Sequence, residues 1–402
     1  MRRVLEQEPG WGRAHTWIRP DLPMFWLAGT LAVVGVAFFQ AMIAPIIPLN
    51  AGAVSFMLIA WTAYVAPFVA VLVVLDLHEP EPPSYLVLAF IWGALVAVPV
   101  AFVANTSVQS ILKKVLDDQV VATWYPSMTG PWTEEVLKGL GLIVVLTLAS
   151  RQVTTVLDGL IYGAFVGLGF QVAENVLSTA NEVRFHTASA ESLVVNSLLV
   201  RGLGLGLWAH AVWSAIVGAG AAYAVLRRRQ DGRCTARPLV MLVGCVLTAA
   251  ALHFVWNAPW WKPDITTLEP NDFLTYALKG LPALALLTVI AVAALRREVL
   301  WFTDALGGRA EVRDDEVSAL RTWRGRHAAR KAAQAFGGRR AGRAGRRLQH
   351  AQVQLAVAIA TRQPDDAIAA AARRVQFAGE VLDRTMAAGP RRLFRTAPSS
   401  LP

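Results

Sequence analysis

The sequence has little charge and almost no cysteine. Of its 402 residues, only 16% are charged and two are cysteines, Cys234 and Cys245. These two residues form neither a disulfide framework nor a CxxC pair, which excludes a disulfide-stabilised scaffold and a cysteine-based metal or redox motif. We also expect no cleavable signal peptide, because the first apolar run begins near Met24, behind a polar arm, and is too long for a signal sequence.

Apolar residues dominate the sequence. They make up 55% of the chain, and the mean hydropathy of +0.45 indicates a polytopic membrane protein. Eight runs approach the roughly 20 residues that a helix needs to cross a bilayer, at about 24–48, 52–76, 85–104, 133–150, 155–178, 203–226, 238–257 and 273–295. Because backbone in lipid must satisfy its own hydrogen bonds, the sequence predicts an all-α membrane protein of about eight transmembrane helices.

Basic residues predict the orientation of the chain. The amino-terminal arm 1–23, the loop 227–237 and the tail 297–402 are rich in arginine. With eight spans these three segments lie on one side of the membrane, which the positive-inside rule makes cytoplasmic. We therefore predict a plasma-membrane protein with both termini in the cytoplasm and a transmembrane domain at 24–296.

The basic tail at 297–402 has a different composition from the membrane domain. It is rich in alanine and arginine, and segments 350–362 and 365–387 have helical composition, so we expect two or three cytoplasmic helices. Its basic cluster at 339–347 is typical of a segment that contacts anionic lipid headgroups. Nucleic acid is not expected as a partner, because the helices lack base-stacking aromatic residues. A solvated, partly disordered tail is the other alternative.

Glycines repeat every four residues on the fifth span, at Gly159, Gly163 and Gly167. Such a face lets a neighbouring transmembrane helix approach closely. The pattern therefore predicts a packing surface on this span.

The fourth span begins with a cluster of charged residues. Glu134 and Glu135 follow Pro131, and Lys138 lies one turn further along. Proline at the first helical position and acids in the first turn are typical of a helix start, so this pattern alone predicts a helix that begins at Pro131. The apolar stretch that follows is short, however, so the glutamates must lie at the membrane edge or in a water-filled cavity.

Three later spans also contain isolated polar residues. Glu174 and Asn175 lie inside span five, His210 lies in span six, and His253 and Asn257 lie near the end of span seven. A buried carboxylate at such a position indicates a functional site by default. A single intramembrane histidine more often makes an ordinary hydrogen bond between helices.

The predicted topology brings these residues to one depth. Spans four to seven alternate in direction, and each places its polar residues in the outer half of the membrane. Scattered structural residues have no reason to share a depth. Two to three carboxylates, two imidazoles and one ammonium at one level therefore predict a site.

Two hydrolytic chemistries suit that set of side chains. In the first, His210, His253 and a glutamate such as Glu174 bind Zn²⁺, and a further glutamate activates the bound water. In the second, a glutamate activates water without a metal, and a histidine or asparagine donates to the oxyanion. The sequence contains neither HExxH nor a GxSxG elbow.

At these residues the chain resembles the PrsW family of intramembrane proteases, within the wider clan of CAAX prenyl endopeptidases. The matching motifs are Glu134-Glu135-x-x-Lys138, Phe170-x-x-x-Glu174-Asn175, His210, and His253 with Asn257. The resemblance covers roughly residues 25–295 and implies proteolysis of membrane-embedded or membrane-tethered proteins near the extracytoplasmic face, such as anti-sigma factors in stress signalling. It implies nothing for the tail.

Two further functions compete with proteolysis. Intramembrane glutamate and histidine residues also serve proton relays in transporters, although the sequence shows no duplicated half of the kind that carriers have. The Gly159–Gly167 face also suits a scaffold without catalytic activity. In the proteolytic interpretation, Glu134 or Glu135 is the base, Lys138 balances their charge, and Asn175 and Asn257 orient substrate or the oxyanion.

The proteolytic interpretation makes a direct prediction. We expect Glu135→Ala and His210→Ala each to abolish cleavage of a membrane-tethered substrate while the protein still inserts into the membrane. Immunoblots of the substrate and of the membrane fraction measure both properties. Wild-type cleavage by both variants would contradict the interpretation.

Overall fold

The computed structural model describes residues 18, 20–45, 47, 51–76, 81–149, 152–185, 189–204, 206–231, 235–260, 270–360 and 362–388. Within these ranges the chain forms helices and no strands. The helices are α1 Pro23–Ile43, α2 Ala51–Leu75, α3 Pro83–Val115, α4 Asp118–Leu148, α5 Val156–Phe185, α6 Ala190–Ser197, α7 His210–Asp231, α8 Ala236–Asn257, α9 Pro270–Leu306, α10 Asp314–Leu320, α11 Trp323–Ala360 and α12 Asp365–Ala387. Most of the arm 1–23, together with Arg233, lies outside the described residues.

Six helices of the described chain are long and apolar enough to cross a membrane. They are α1, α2, α3, α5, α8 and the part of α9 from Leu274. The other two predicted spans, 133–150 and 203–226, overlap α4 and α7, whose ionisable residues lower their hydropathy. The predicted all-α, polytopic membrane fold is confirmed.

The predicted start of the fourth span is wrong. Helix α4 begins at Asp118, capped by the Asp117 side chain, and both Pro126 and Pro131 lie inside it. Asn257 Nδ2 donates to the carbonyl of Pro126 at 3.1 Å, and Thr133 Oγ1 donates to that of Thr129 at 3.1 Å, so side chains add hydrogen bonds to this part of the helix. Glu134 and Glu135 therefore lie in the middle of a helix and have no role in capping it.

The sixth span is also less regular than predicted. A π-helical segment covers Leu198–Gly204 and a short 3₁₀ segment covers Gly206–Trp208. Helix α7 then begins at His210 itself, so this histidine stands at a helix start rather than a third of the way along a span. The glycines at 202, 204 and 206 weaken regular helix here, because glycine has a poor helix propensity.

The predicted glycine face of α5 is confirmed as a packing surface. A Cβ atom added to Gly159, Gly163 or Gly167 would lie within 2.1 to 2.3 Å of a backbone carbonyl oxygen of α7. Only glycine allows the two backbones to come this close. The contact runs from Gly218 at one end to His210 at the other, so it aligns the first residue of α7 with the middle of α5.

Helix α3 fixes the position of α4 through a tryptophan. A π-helical segment, Trp92–Ala97, interrupts α3. The Trp92 ring lies directly over Gly141, and its Nε1 donates to the carbonyl oxygen of Leu137 at 3.1 Å. This contact lies next to Lys138 and holds the site-bearing part of α4 in register.

The described residues from Leu295 onward form a compact unit of their own. Its apolar core includes Phe302, Leu306, Leu320, Leu355 and Val375. The prediction of two or three helices is confirmed by α10, α11 and α12, and Gln363-Pro364 separates α11 from α12 as expected. A disordered tail is excluded for residues 314–360 and 362–388, because they are helical and contribute to that core.

The contact between α5 and α7 predicts a sharp difference between two glycine substitutions. Gly163→Ala places its Cβ 2.1 Å from the Ser214 carbonyl oxygen, so the helices must separate, at a cost of about 1 to 3 kcal/mol. Gly244→Ala in α8 has nothing within 4 Å and serves as the control. Thermal unfolding in detergent should show a lower midpoint for Gly163→Ala alone, and equal midpoints would contradict the proposed packing.

Candidate active site

Four helices bring the predicted site residues together. Helix α4 contributes Glu134, Glu135 and Lys138, helix α5 contributes Glu174 and Asn175, and helices α7 and α8 contribute His210 and His253. With Asn257 of α8 these seven make up the eight predicted residues, and all of them are described. Hydrogen bonds and ion pairs connect the three carboxylates, the two imidazoles and Lys138.

Glu135 is almost completely buried and bonded to two site residues. Its Oε1 atom accepts from Lys138 Nζ at 2.5 Å and from His253 Nδ1 at 3.0 Å. The Glu135 and Lys138 side chains are each 1% exposed. A buried carboxylate with a cation and an imidazole as partners is suited to orienting them.

His253 presents one ring nitrogen towards Glu134. Because its Nδ1 donates to Glu135, the hydrogen-bond pattern assigns the lone pair to Nε2. That Nε2 lies 3.8 Å from Glu134 Oε2. The ring stacks on Trp213 of α7, with centroids 4.2 Å apart and an interplanar angle of 19°, which restricts its rotation.

His210 has the same arrangement with a different pair of partners. Its Nε2 lies 2.9 Å from Glu174 Oε2, and its Nδ1 lies 2.9 Å from Lys138 Nζ. An ammonium group only donates, so Nδ1 is the acceptor and Nε2–H donates to Glu174. The Nδ1 atom is also 3.9 Å from Glu134 Oε2.

Glu134 is the point on which the two imidazoles converge. Its Oε1 accepts from Asn105 Nδ2 at 3.2 Å. Its Oε2 is buried and, among the described residues, has no hydrogen-bond partner. A buried carboxylate oxygen without a partner is costly, and Glu135 Oε2 is another in the described chain. Glu134 Oε2 differs because it also lies within 3.9 Å of one nitrogen of each histidine, and this combination indicates a binding site.

These residues fit a metal ion. The ligand atoms of Glu134, His210 and His253 lie within 4.8 Å of one another. Two imidazoles and one carboxylate form a ligand set found in catalytic zinc sites. Each histidine also donates its remote N–H to a second carboxylate, Glu174 or Glu135, as metal-bound histidines usually do.

The geometry differs from the predicted metal set in one residue. The sequence grouped Glu174 with His210 and His253, but the Glu174 carboxylate bonds to the far nitrogen of His210, away from Glu134. In addition, Lys138 Nζ donates to the His210 nitrogen that faces Glu134. Lys138 must release that nitrogen before a metal ion can bind it.

Two cavities meet at the site. One, of about 390 Å³, is lined by Glu134, Glu174, His210, His253 and, among others, Trp256. The second, of about 450 Å³, shares Glu134 and Glu174 with the first and extends along the more apolar side chains of α1, α3 and α5. Glu135 and Lys138 line neither cavity, which distinguishes the orienting glutamate from the accessible ones.

The structure adds residues that the sequence pattern did not indicate. Arg201 Nε donates to Asn175 Oδ1 at 2.9 Å, and its Nη2 lies 3.5 Å from Glu174 Oε1. Asn105 binds Glu134, as described above. Both residues lie just outside predicted spans: Asn105 follows the span that ends at 104, and Arg201 precedes the span that begins at 203. Their polar side chains were the only feature of the sequence that could have indicated a role in the site.

The irregular backbone before His210 is also held by side chains. Gln171 Nε2 donates to the Gly206 carbonyl oxygen at 3.0 Å, and Tyr64 donates to that of Gly202 at 3.1 Å. Non-helical backbone is tolerated at membrane depth only when its polar groups are satisfied in this way. These bonds fix where α7 begins and therefore where His210 lies.

Comparison with known protein families gives a match over the membrane part of the chain. The family described as PrsW family intramembrane metalloprotease matches residues 81–294. That range includes every predicted site residue. No curated protein and no solved structure matches the chain.

Proposed function

The chain belongs to the PrsW family of intramembrane metalloproteases, and on this premise we propose that it hydrolyses peptide bonds of membrane-tethered proteins near the extracytoplasmic face. It is thus a multi-pass membrane protease rather than a transporter or a scaffold. An anti-sigma factor is the type of substrate that we propose, in a bacterial plasma membrane.

The single observation that carries the proposed chemistry is the environment of Glu134 Oε2. This oxygen is buried, lacks a hydrogen-bond partner in the described chain and faces one nitrogen of each histidine. We propose Glu134, His210 and His253 as the residues that hold a zinc ion. When bound, the ion supplies an activated water and polarises the scissile carbonyl group.

The remaining residues prepare this site for hydrolysis. Glu135 and Glu174 hold the two imidazoles in the tautomers described above, while Lys138 offsets the charge of Glu135. Glu174 is the more accessible carboxylate, with a side chain 39% exposed against 9% for Glu134. We therefore assign Glu174 Oε1 as the atom that accepts a proton from the attacking water.

Arg201 controls the position of that carboxylate. It contacts Glu174 Oε1 and holds the neighbouring Asn175 side chain. These contacts position the carboxylate in the cavity, where it can accept a proton. Asn257 is bonded to the Pro126 carbonyl, so its proposed contact with substrate would use the rest of its amide group.

The proposed depth of the site follows from the ends of the helices. Arg229 at the end of α7 donates to the Val153 carbonyl between α4 and α5, so these ends gather on one side, which carries the basic residues 227–229. At 1.5 Å per residue, Glu135 lies about 20 Å from the last residue of α4, and Glu174 and His253 lie about 25 to 27 Å from the first residues of α5 and α8. In a hydrocarbon layer about 30 Å thick, that distance corresponds to the outer half.

Substitution of the glutamates separates these roles. We expect purified Glu134→Gln to lose bound metal and cleavage, because a neutral amide is a poor zinc ligand. Glu135→Gln and Glu174→Gln each remove the carboxylate partner of an imidazole, so both should bind metal about 10- to 100-fold more weakly. Glu174→Gln should in addition lose cleavage even when saturated with metal. Elemental analysis and a peptidase assay measure these properties, with the exposed Glu191→Gln as the matched control.

The same assay tests the metal itself. Full activity of metal-stripped protein would overturn the zinc mechanism and favour Glu134 as a base that activates water directly. The bond from Lys138 to His210 would then belong to the active state. Loss of activity on chelation, restored by zinc, supports the proposal.

The substrate class can be tested in cells. We expect new amino termini on the extracytoplasmic side of membrane proteins in cells with the wild-type chain, and none with Glu134→Gln at equal expression. Mass spectrometry of labelled amino termini provides the measurement. Identical sets of termini in the two strains would contradict a role in processing membrane-tethered proteins.

A further inference from the structure

The carboxy-terminal unit contains a helical hairpin with a basic cavity. Helix α11 reverses direction at Gly338, whose φ of 69° is a left-handed conformation that favours glycine. The two limbs then run antiparallel, because Gln349 Nε2 donates to the Arg326 carbonyl oxygen at 3.1 Å and Gly345 lies opposite Ala333. Both limbs belong to the same compact unit.

The cavity has a volume of about 920 Å³, and cationic side chains dominate its lining. Five arginine and lysine residues line it together with His327: Arg330, Lys331, Arg339, Arg343 and Arg346. Among the described residues, no carboxylate lines it. Apart from Arg330, which is half-buried, these side chains are exposed and accessible to a ligand.

Like charges are held together here without protein counterions. Within the described chain, none of the five cations forms an ion pair, whereas Arg313 pairs with Glu316 and Arg384 pairs with Glu380 in the same unit. Burial and the positive charge of Arg346 lower the pKa of Arg330. An anion in the cavity would relieve that repulsion.

The shape of the cavity indicates what it can hold. Gly342 lies in its wall, and a Cβ added there would come within 3.1 Å of Gln334 Cβ on the other limb, so glycine lets the two limbs pack closely beside the cavity. The volume falls within the range of small-molecule sites and is too small for a nucleic-acid duplex. At one end of the hairpin, Trp323 stacks on His327 with ring centroids 5.2 Å apart, and it is half exposed.

We propose that the cavity between the limbs of α11 binds a ligand with phosphate groups, either an anionic phospholipid headgroup or a soluble polyphosphate. Arginine guanidinium groups suit this chemistry because they bind phosphate oxygens in pairs. This binding site is independent of the protease site. Nucleic acid is disfavoured because, among the described residues, no tryptophan, tyrosine or phenylalanine lines the cavity to stack on bases.

Two variants with the same loss of charge test the proposal in the full-length protein. Arg343→Gln/Arg346→Gln removes two cations from the cavity, and Arg373→Gln/Arg374→Gln removes two exposed arginines of α12 that lie outside it. Calorimetry in a non-ionic detergent would measure binding of inorganic triphosphate and, separately, of dioctanoyl phosphatidylglycerol. Equal thermal unfolding midpoints would confirm that both variants are folded.

We expect the cavity variant to bind at least one probe about tenfold more weakly for each arginine removed, and the control to bind as the wild type does. Binding of triphosphate alone identifies a soluble phosphate as the source, and binding of the lipid alone identifies the membrane. Equal weakening in the two variants, or no binding of either probe, would overturn the proposal. Binding of a single-stranded oligonucleotide alone would also overturn it, in favour of nucleic acid.

Discussion

The buried ammonium group of Lys138 is the interaction on which the site depends. Taking an isolated charge out of water costs several kcal/mol, so Lys138 requires an anionic partner, which Glu135 supplies at 2.5 Å. Lys138 also donates to His210, and Glu135 accepts from His253. One ion pair on α4 thereby sets the orientation of imidazoles from two other helices, and both imidazoles face Glu134 as a result.

The packing of the surrounding helices restricts the movement of these side chains. The backbone contact between the glycines of α5 and the carbonyl groups of α7 leaves little freedom for His210 to move relative to Glu174. Trp92 holds α4 against α3, and Trp213 stacks on the ring of His253. Catalytic groups held by packed elements keep their productive geometry better than groups on loops. The irregular backbone before His210 is tolerated because Gln171 and Tyr64 satisfy its carbonyl groups.

The two units differ in the burial and pairing of their positively charged side chains. In the membrane unit, Lys138 is buried and closely paired with a carboxylate, and its charge serves to organise a network. In the carboxy-terminal unit, five cations surround an open cavity that no carboxylate of the described chain lines, so their charge is available to a ligand. The first arrangement indicates catalysis and the second indicates binding. Cations concentrated on one sequence segment, 330–346, become a site only because α11 reverses at Gly338.

The sequence by itself determined the membrane fold, the packing face of α5, the helices of the tail and the set of polar residues that four helices bring together. These predictions depend on the lengths of the apolar runs and on the residue types within them, and both are properties of the local sequence. Only the tertiary structure decided that Glu134 rather than Glu174 faces both histidines and that Arg201 and Asn105 contact the predicted residues, because these facts depend on contacts between distant helices. The start of α4 has a local cause: Asp117 caps this helix, so Pro131, which is typical of a helix start in sequence, lies inside it.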